Sequence, residues 1–159
     1  MCIREASEKD ITELNRVIRA SFHDVAERYA LTLENCPTHP SFCTEQWIGE
    51  AMAAGTWFFI LEDGGAVCGC AALERAEPDA CYLERLAVLP ERRRMGHGKS
   101  LVSHVLEEAR AAGALRVEIG IIAAQDELRD WYLEQGFRET GRKSFKHLPF
   151  EVAFMACRL

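Results

Sequence analysis

Residues 92–100 read RRRMGHGKS: three arginines, then glycines at 96 and 98 one residue apart, with an apolar helical periodicity directly behind them. Leu101, Val102, Val105, Leu106, Ala109 and Ala112 fall on one helical face, and Gly113 closes the helix as glycine does at a left-handed cap. A strand-like run, Cys81 to Val88, stands before the loop, and another, Leu115 to Ile122, follows the helix. Strand, short loop, helix, short loop, strand is a parallel βαβ unit with a right-handed crossover. Its loop lies at the carboxyl end of the first strand, where open α/β sheets bind ligands.

Working outward, Cys2-Ile3-Arg4 is strand-like. Ser7 with Asp10 three residues on starts a long helix over Ile11, Leu14, Val17, Ile18, Phe22, Val25 and Tyr29. LENCPTHPSF, residues 33–42, has two prolines and no periodicity and reads as a loop. Thr44 caps a second helix that ends before Gly55. Thr56 to Glu62, Ala66 to Glu74 and Cys81 to Val88, separated by Asp63-Gly64-Gly65 and Glu77-Pro78-Asp79, predict an antiparallel meander. Beyond the βαβ unit come a helix over Asp126 to Gln135 and two strands, Phe137 to Lys146 and Phe150 to Cys157, around His147-Leu148-Pro149. The fold class is therefore α/β, a mixed and mostly antiparallel sheet with one parallel βαβ unit and helices on both faces, in a single domain over residues 1–159.

A chain of 159 residues, 48% hydrophobic and 28% charged, has the composition of one globular core. No run of about 18 apolar residues spans a bilayer, and MCIREASEKD is too charged for a secretory signal. The seven cysteines are an odd number scattered through strand-like sequence, which fits a reducing cytoplasm better than a disulfide framework. A net charge of −6 argues against nucleic-acid binding, which draws on a broad basic surface. The arginines at 92–94 are thus a local feature suited to a small anion. Backbone amides at a helix start have no internal partner, and glycines let a ligand approach them, a combination that binds phosphate oxygens. A tight turn with solvated arginines is the bland alternative.

Leu86-Ala87-Val88-Leu89-Pro90 followed by Arg93-x-x-Gly96-x-Gly98 resembles the acetyl-CoA motif of the GNAT superfamily of N-acetyltransferases, whose pattern is Gln/Arg-x-x-Gly-x-Gly/Ala. Trp131-Tyr132-Leu133-Glu134-Gln135-Gly136-Phe137 is similar to that family's tyrosine-x-x-x-Gly-Phe helix end, so the likeness spans roughly residues 56–155. The resemblance implies a GNAT-like acyl-CoA N-acyltransferase fold and acetyl-CoA as cosubstrate. It implies that backbone groups of Leu86, Ala87 and Val88 hold the pantetheine arm. Arg93 and the amides from Arg94 through Met95, Gly96, His97 and Gly98 to Lys99 would hold the pyrophosphate, with a hydroxyl from Ser100. Where the family has an asparagine seven residues before the tyrosine, this chain has Gln125, which keeps the amide on a longer arm.

The implied reaction moves an acetyl group to a primary amine, which must first lose a proton at a cost of about 4–5 kcal/mol at pH 7 for an amine of pKa ~10.4. Tyr132 is placed by the motif to donate a hydrogen bond to the departing thiolate; the alternative is an aromatic packed beneath the sheet, a role that also suits Trp131. Glu84 lies two residues before Leu86, so strand periodicity puts both on one face and makes Glu84 the candidate base, unless it pairs with Arg75 or Arg85. Glu118 on the neighbouring strand is the reserve. Cys36, His39 and Cys43 give three metal-type ligands without a fourth and read as a proline-fixed loop; the expected metal content is none. By family analogy His39, Phe42 and His147 border the acceptor pocket. Cys68-Gly69-Cys70 reads as small-residue core with both cysteines on one side.

The partner expected is a small-molecule amine or a protein amine, with neither nucleic acid nor membrane, and a homodimer is left open. Two rivals to the enzyme remain: a non-catalytic acyl-CoA sensor of the same fold, and an adapter that uses the arginines to hold an acidic protein.

Overall fold

The computed structural model describes residues 1–159. Near the amino end the capping geometry is the one the sequence dictates. Asp10 accepts the Ser7 amide at 2.9 Å, and Arg4 grips the same carboxylate at 2.9 and 3.0 Å. The Arg4 guanidinium and the Ser7 amide hold the Asp10 acid down at about 2. Helix α1 (Ile11–Arg28) follows a short 3₁₀ turn and buries Leu14, Val17 and Ile18 completely. Helix α2 (Glu45–Ala53) starts where the Thr44 hydroxyl accepts the Trp47 amide at 3.2 Å.

The strands β1 (Cys2–Glu5), β2 (Trp57–Asp63), β3 (Ala66–Arg75) and β4 (Ala80–Val88) form the predicted antiparallel meander. Helix α3 (His97–Ala111) carries the chain over to β5 (Arg116–Ile122), which runs parallel to β4. After α4 (Asp126–Glu134) the chain makes β6 (Arg138–Ser144) and β7 (Glu151–Arg158), and β7 inserts between β5 and β6. The seven-stranded order is β1-β2-β3-β4-β5-β7-β6. Helix α3 begins three residues before the Ser100 start that the apolar pattern suggests, because Gly96 caps it in the left-handed conformation, φ 84°. No helix is long and apolar enough to cross a membrane.

Each face of the sheet carries its own core. Beneath α3 and α4 lie Leu73, Leu101, Val102, Val105, Val117, Tyr132 and Phe137; beneath α1 and α2 lie Leu14, Ile18, Ile48, Phe58 and Ile60. Each fully buried aliphatic of this kind contributes about 1.5–3 kcal/mol. Three bulges break the period-two alternation, the last of them in β6 between Glu139 and Gly141. In β3 the register jumps between Leu61↔Gly69 and Glu62↔Val67. The extra residue there sends Cys68 into the α3-side core and Cys70 into the α1-side core, so the two cysteines do not share a face as strict alternation predicts. Both are core nonetheless, and burial pushes the Cys70 thiol up to about 12. The second bulge, in β4, shapes the site.

Candidate active site

The parallel ladder between β4 and β5 holds for only three residue pairs, Ala80↔Arg116, Cys81↔Val117 and Tyr82↔Glu118. Beyond Tyr82 the two strands part, β4 staying with β3 and β5 with β7. A cavity of about 900 Å³ opens there, lined by residues 83–88 of β4 and 119–122 of β5. It reaches both faces of the sheet: Ser21, Phe22 and Val25 of α1 wall one side, and Leu128, Trp131 and Tyr132 of α4 the other. The Leu89 amide bonds Cys68 of β3 at 2.9 Å, so strand alternation turns the amides of Leu86 and Val88 toward the gap. Ala87 points the opposite way. Its side chain is buried under α1, and a Cβ on Gly69 would stand 2.6 Å from its carbonyl oxygen. Of the three residues 86–88, two therefore offer backbone groups to the cavity.

At the carboxyl end of β4 the loop is folded into a cradle. Arg94 and Gly96 both have positive φ, 62° and 84°, and no backbone amide from Arg94 to Lys99 donates to a protein acceptor. Six consecutive unsatisfied N–H groups at a helix start, two of them on residues of left-handed backbone, form an anion-binding concavity. Gly96 is needed for its conformation, and nothing lies within 4 Å of a Cβ built there. Gly98 is needed for a different reason, since its Cβ would meet the Trp131 ring at 3.2 Å. The Ser100 hydroxyl, at the same end of α3, is half-buried.

Two side chains of the motif, Arg93 and His97, turn inward to the protein. The Arg93 guanidinium donates to the Val88 carbonyl at 3.2 Å, to the Ser21 carbonyl at 2.7 Å and to Asp24 at 2.7 Å. It fastens the loop to β4 and α1, with all three of its nitrogens engaged by the protein. His97 is buried, with Nδ1 3.0 Å from the Arg92 carbonyl and Nε2 3.0 Å from Asp63. It pins α3 to the β2–β3 turn, and His97 is the first cause of the lowered Asp63 acid. Only its backbone amide faces outward.

The β4 bulge revises the reading of the base. Arg85 is left-handed at φ 50°, and the register passes from Ala72↔Glu84 to Cys70↔Ala87. One residue is inserted between Glu84 and Leu86, which therefore do not share a face. Leu86 packs with the α3-side core, whereas Glu84 pairs across from Ala72 of the α1-side core. Glu84 still lines the cavity, from the face opposite Tyr132. Desolvation, and next the negative charge of Glu74, raise its acid above the usual carboxylate range. Glu118 does not line the cavity; its carboxylate accepts from Arg116 at 3.4 Å.

Tyr132 is buried against Trp131 and Phe137, ring centroids 4.9 and 5.3 Å away. Desolvation raises its phenol well above the ordinary value, which keeps it a proton donor across the neutral range. Packing and cavity lining are thus both true of this side chain. Gln125 lies at the start of α4 on the cavity wall and its side chain caps nothing, leaving the amide free.

On the α1 side, His39 is buried between Phe22 and Phe42. Its Nδ1 accepts the Ser41 amide at 3.3 Å and lies 2.7 Å from the Ser41 hydroxyl, so the ring caps a 3₁₀ turn, and burial lowers its pKa. Cys36 and His39 line the cavity, while Cys43 lies in the α1-side core and Phe42 packs against the His39 ring; neither of these two lines it. His147 lines a separate shallow depression beside Pro37 and Thr38. The bulge at Arg85 and the anchors Ser21, Asp24 and Asp63 were not singled out from sequence. Gly69 was the visible signal that β3 and β4 approach too closely for a side chain.

Residues 19–137 match the sequence profile of the acetyltransferase (GNAT) family. Amino-acid acetyltransferases of Neisseria meningitidis, from serogroups A and B, are 35% identical over 98 residues, 56% of this chain and 22% of theirs. The chain thus spans about a fifth of the length of the curated relatives it matches. Among solved structures, N-acetylglutamate synthase from Neisseria gonorrhoeae, complexed with coenzyme A and N-acetyl-glutamate, superposes with a TM-score of 0.71 at 25% identity, over 99% of this chain and 35% of that one. The ribosomal-protein-S18-alanine N-acetyltransferase from Escherichia coli superposes with a TM-score of 0.77 at 17% identity, over 99% and 92% of the two chains.

Proposed function

The chain belongs to the GNAT family of acetyltransferases, and from that premise we propose that it transfers an acetyl group from acetyl-CoA directly to a primary amine. The residues present fit the cosubstrate: the six free amides at 94–99 suit a diphosphate, and the gap-facing amides of Leu86 and Val88 suit an extended amide chain. When bound, acetyl-CoA supplies an activated thioester carbonyl. The chain's own groups do the rest. Leu86 and Val88 orient, Trp131 and Leu128 exclude water, and Tyr132 Oη donates a hydrogen bond where negative charge develops on sulfur. Glu84, entering from the opposite face, takes the amine's proton on a carboxylate oxygen, and its raised pKa makes it a stronger base than an ordinary carboxylate. Gln125 contributes its side-chain amide to the cosubstrate.

The single observation that carries this reading is the parting of β4 from β5, which opens one cavity to both faces with a proton donor on one side and a proton acceptor on the other. A sensor of the same fold needs the amide cradle alone and gives Tyr132 and Glu84 nothing to do. The comparisons span proteins named for amino-acid acceptors and for a ribosomal protein. They leave the acceptor class open. Cytoplasmic residence accompanies the proposal, and oligomeric state is a matter for sedimentation. The test is thiol release from acetyl-CoA with a panel of amines, confirmed by product mass. Acetylated product supports the enzyme, and acetyl-CoA binding without product for any amine supports the sensor.

A further inference from the structure

Four arginines reach the cavity: Arg28, Arg85, Arg93 and Arg94. Arg28 is paired with Glu127, Arg93 is pinned to Asp24 and two carbonyls, and Arg94 is exposed in the diphosphate cradle. Arg85 is different. It is half-buried in the cavity wall and forms no ion pair, and no hydrogen bond from its guanidinium reaches any protein acceptor. Its left-handed backbone departs from the strand, and its positive charge is felt at the thiols of Cys43 and Cys70, both in the core under α1 and α2. The side chain therefore enters the compartment on the α1 side, walled by Phe22, His39, Leu148 and Phe150.

Glu84, next in sequence, lines the same cavity but forms no ion pair with Arg85: desolvation and the Glu74 carboxylate act on Glu84 more strongly than the Arg85 charge does. An L-residue with positive φ is strained, and a guanidinium has five donors and no acceptor of its own. In a partly desolvated wall those donors call for an anion, and the planar fork matches a carboxylate in two parallel hydrogen bonds. An acid–base residue and an unsatisfied carboxylate receptor stand side by side on one strand.

We propose that Arg85 anchors a carboxylate of the acceptor, so that the amine acetylated here belongs to a free amino acid and not to a simple amine or a protein terminus. The proposal rests on the transferase reading and narrows it. In it the Arg85 guanidinium holds the acceptor's carboxylate while Glu84 receives a proton from its ammonium group.

The test uses free L-amino acids, their carboxamides, the corresponding decarboxylated amines and a short peptide with a free amino terminus, all with the 159-residue chain and acetyl-CoA. The expected result is a KM for the preferred amino acid at least about 10-fold below that of its amide. Arg85→Gln should raise the amino-acid KM by about 10- to 100-fold, hold kcat within a few-fold and leave the amide's KM alone, with Arg85→Lys in between. A retained thermal shift with coenzyme A shows that the variants are folded. Amide or peptide used as well as the acid, or an unchanged amino-acid KM in Arg85→Gln, overturns the proposal and leaves the transferase reading standing. If nothing is turned over, calorimetry of amino acids against the coenzyme A-loaded protein decides: binding lost in Arg85→Gln upholds the carboxylate site against the catalytic reading, and no binding sinks both.

Discussion

Arg85 in the β4 bulge and Arg93 in the loop before α3 reach the same cavity and are used in opposite ways. Arg93 is bound by Val88, Ser21 and Asp24, and what it provides is the position of six backbone amides that remain unsatisfied. Arg85 is held in a strained conformation with its head group unpaired. In the loop, Arg93 and His97 bind the protein and the backbone amides are left for the ligand; at the bulge, the Arg85 side chain is left for the ligand. Sequence motifs report residue types and are silent on which of these two uses a residue has been put to.

The comparison breaks most visibly at Gly96. Any L-residue there meets the left-handed φ of 84°, a strain of about 1–2 kcal/mol, and the cradle must distort. Gly96→Val should abolish the thermal shift produced by acetyl-CoA; a wild-type shift would mean the amides at 94–99 are not the binding site. Next in size, Tyr132→Phe should lower kcat by about 10²-fold with acetyl-CoA affinity within a few-fold, since the hydroxyl acts on charge present only in the transition state. An unchanged kcat removes Tyr132 from the chemistry and leaves it a packing residue beside Phe137.

Most of the architecture was legible. The βαβ unit, the meander, the Ser7–Asp10 start and the Thr44 cap follow from periodicity and capping chemistry, which are local. The bulges were not legible, because an inserted residue depends on how β3 and β4 register and leaves the composition of the strand intact. That is why Glu84 and Leu86, two apart, do not share a face, and why Cys68 and Cys70 fall into separate cores. The inward turn of Arg93 and His97 was equally hidden, since their partners Ser21, Asp24 and Asp63 are remote in sequence.

Arginine substitutions sharpen the contrast. Arg93→Gln should destabilise the fold by about 1–2 kcal/mol, a Tm loss of several degrees, because it strips partners from two carbonyls. Arg94→Gln should leave Tm alone and weaken acetyl-CoA binding by a few-fold, an effect erased by salt. Equal Tm losses would erase the distinction between anchor and ligand group. The smallest effect concerns Glu84, whose acid is raised by desolvation and by Glu74. The folded state then binds more protons than the unfolded one just above the ordinary carboxylate range, so wild-type stability falls as pH rises through that window. Glu84→Gln should therefore be slightly more stable than wild type at neutral pH and no different in acid, while its acetylation rate falls most at low pH.

The central claim, that the backbone amides of residues 94–99 hold the donor, is tested most directly by amide hydrogen exchange with and without coenzyme A. In the free protein the amides from Arg94 to Lys99, which have no protein acceptor, should exchange rapidly, and saturating coenzyme A should slow them together with Leu86 and Val88. Exchange at these amides that coenzyme A does not change, in a protein shown by calorimetry to be saturated, would contradict the account.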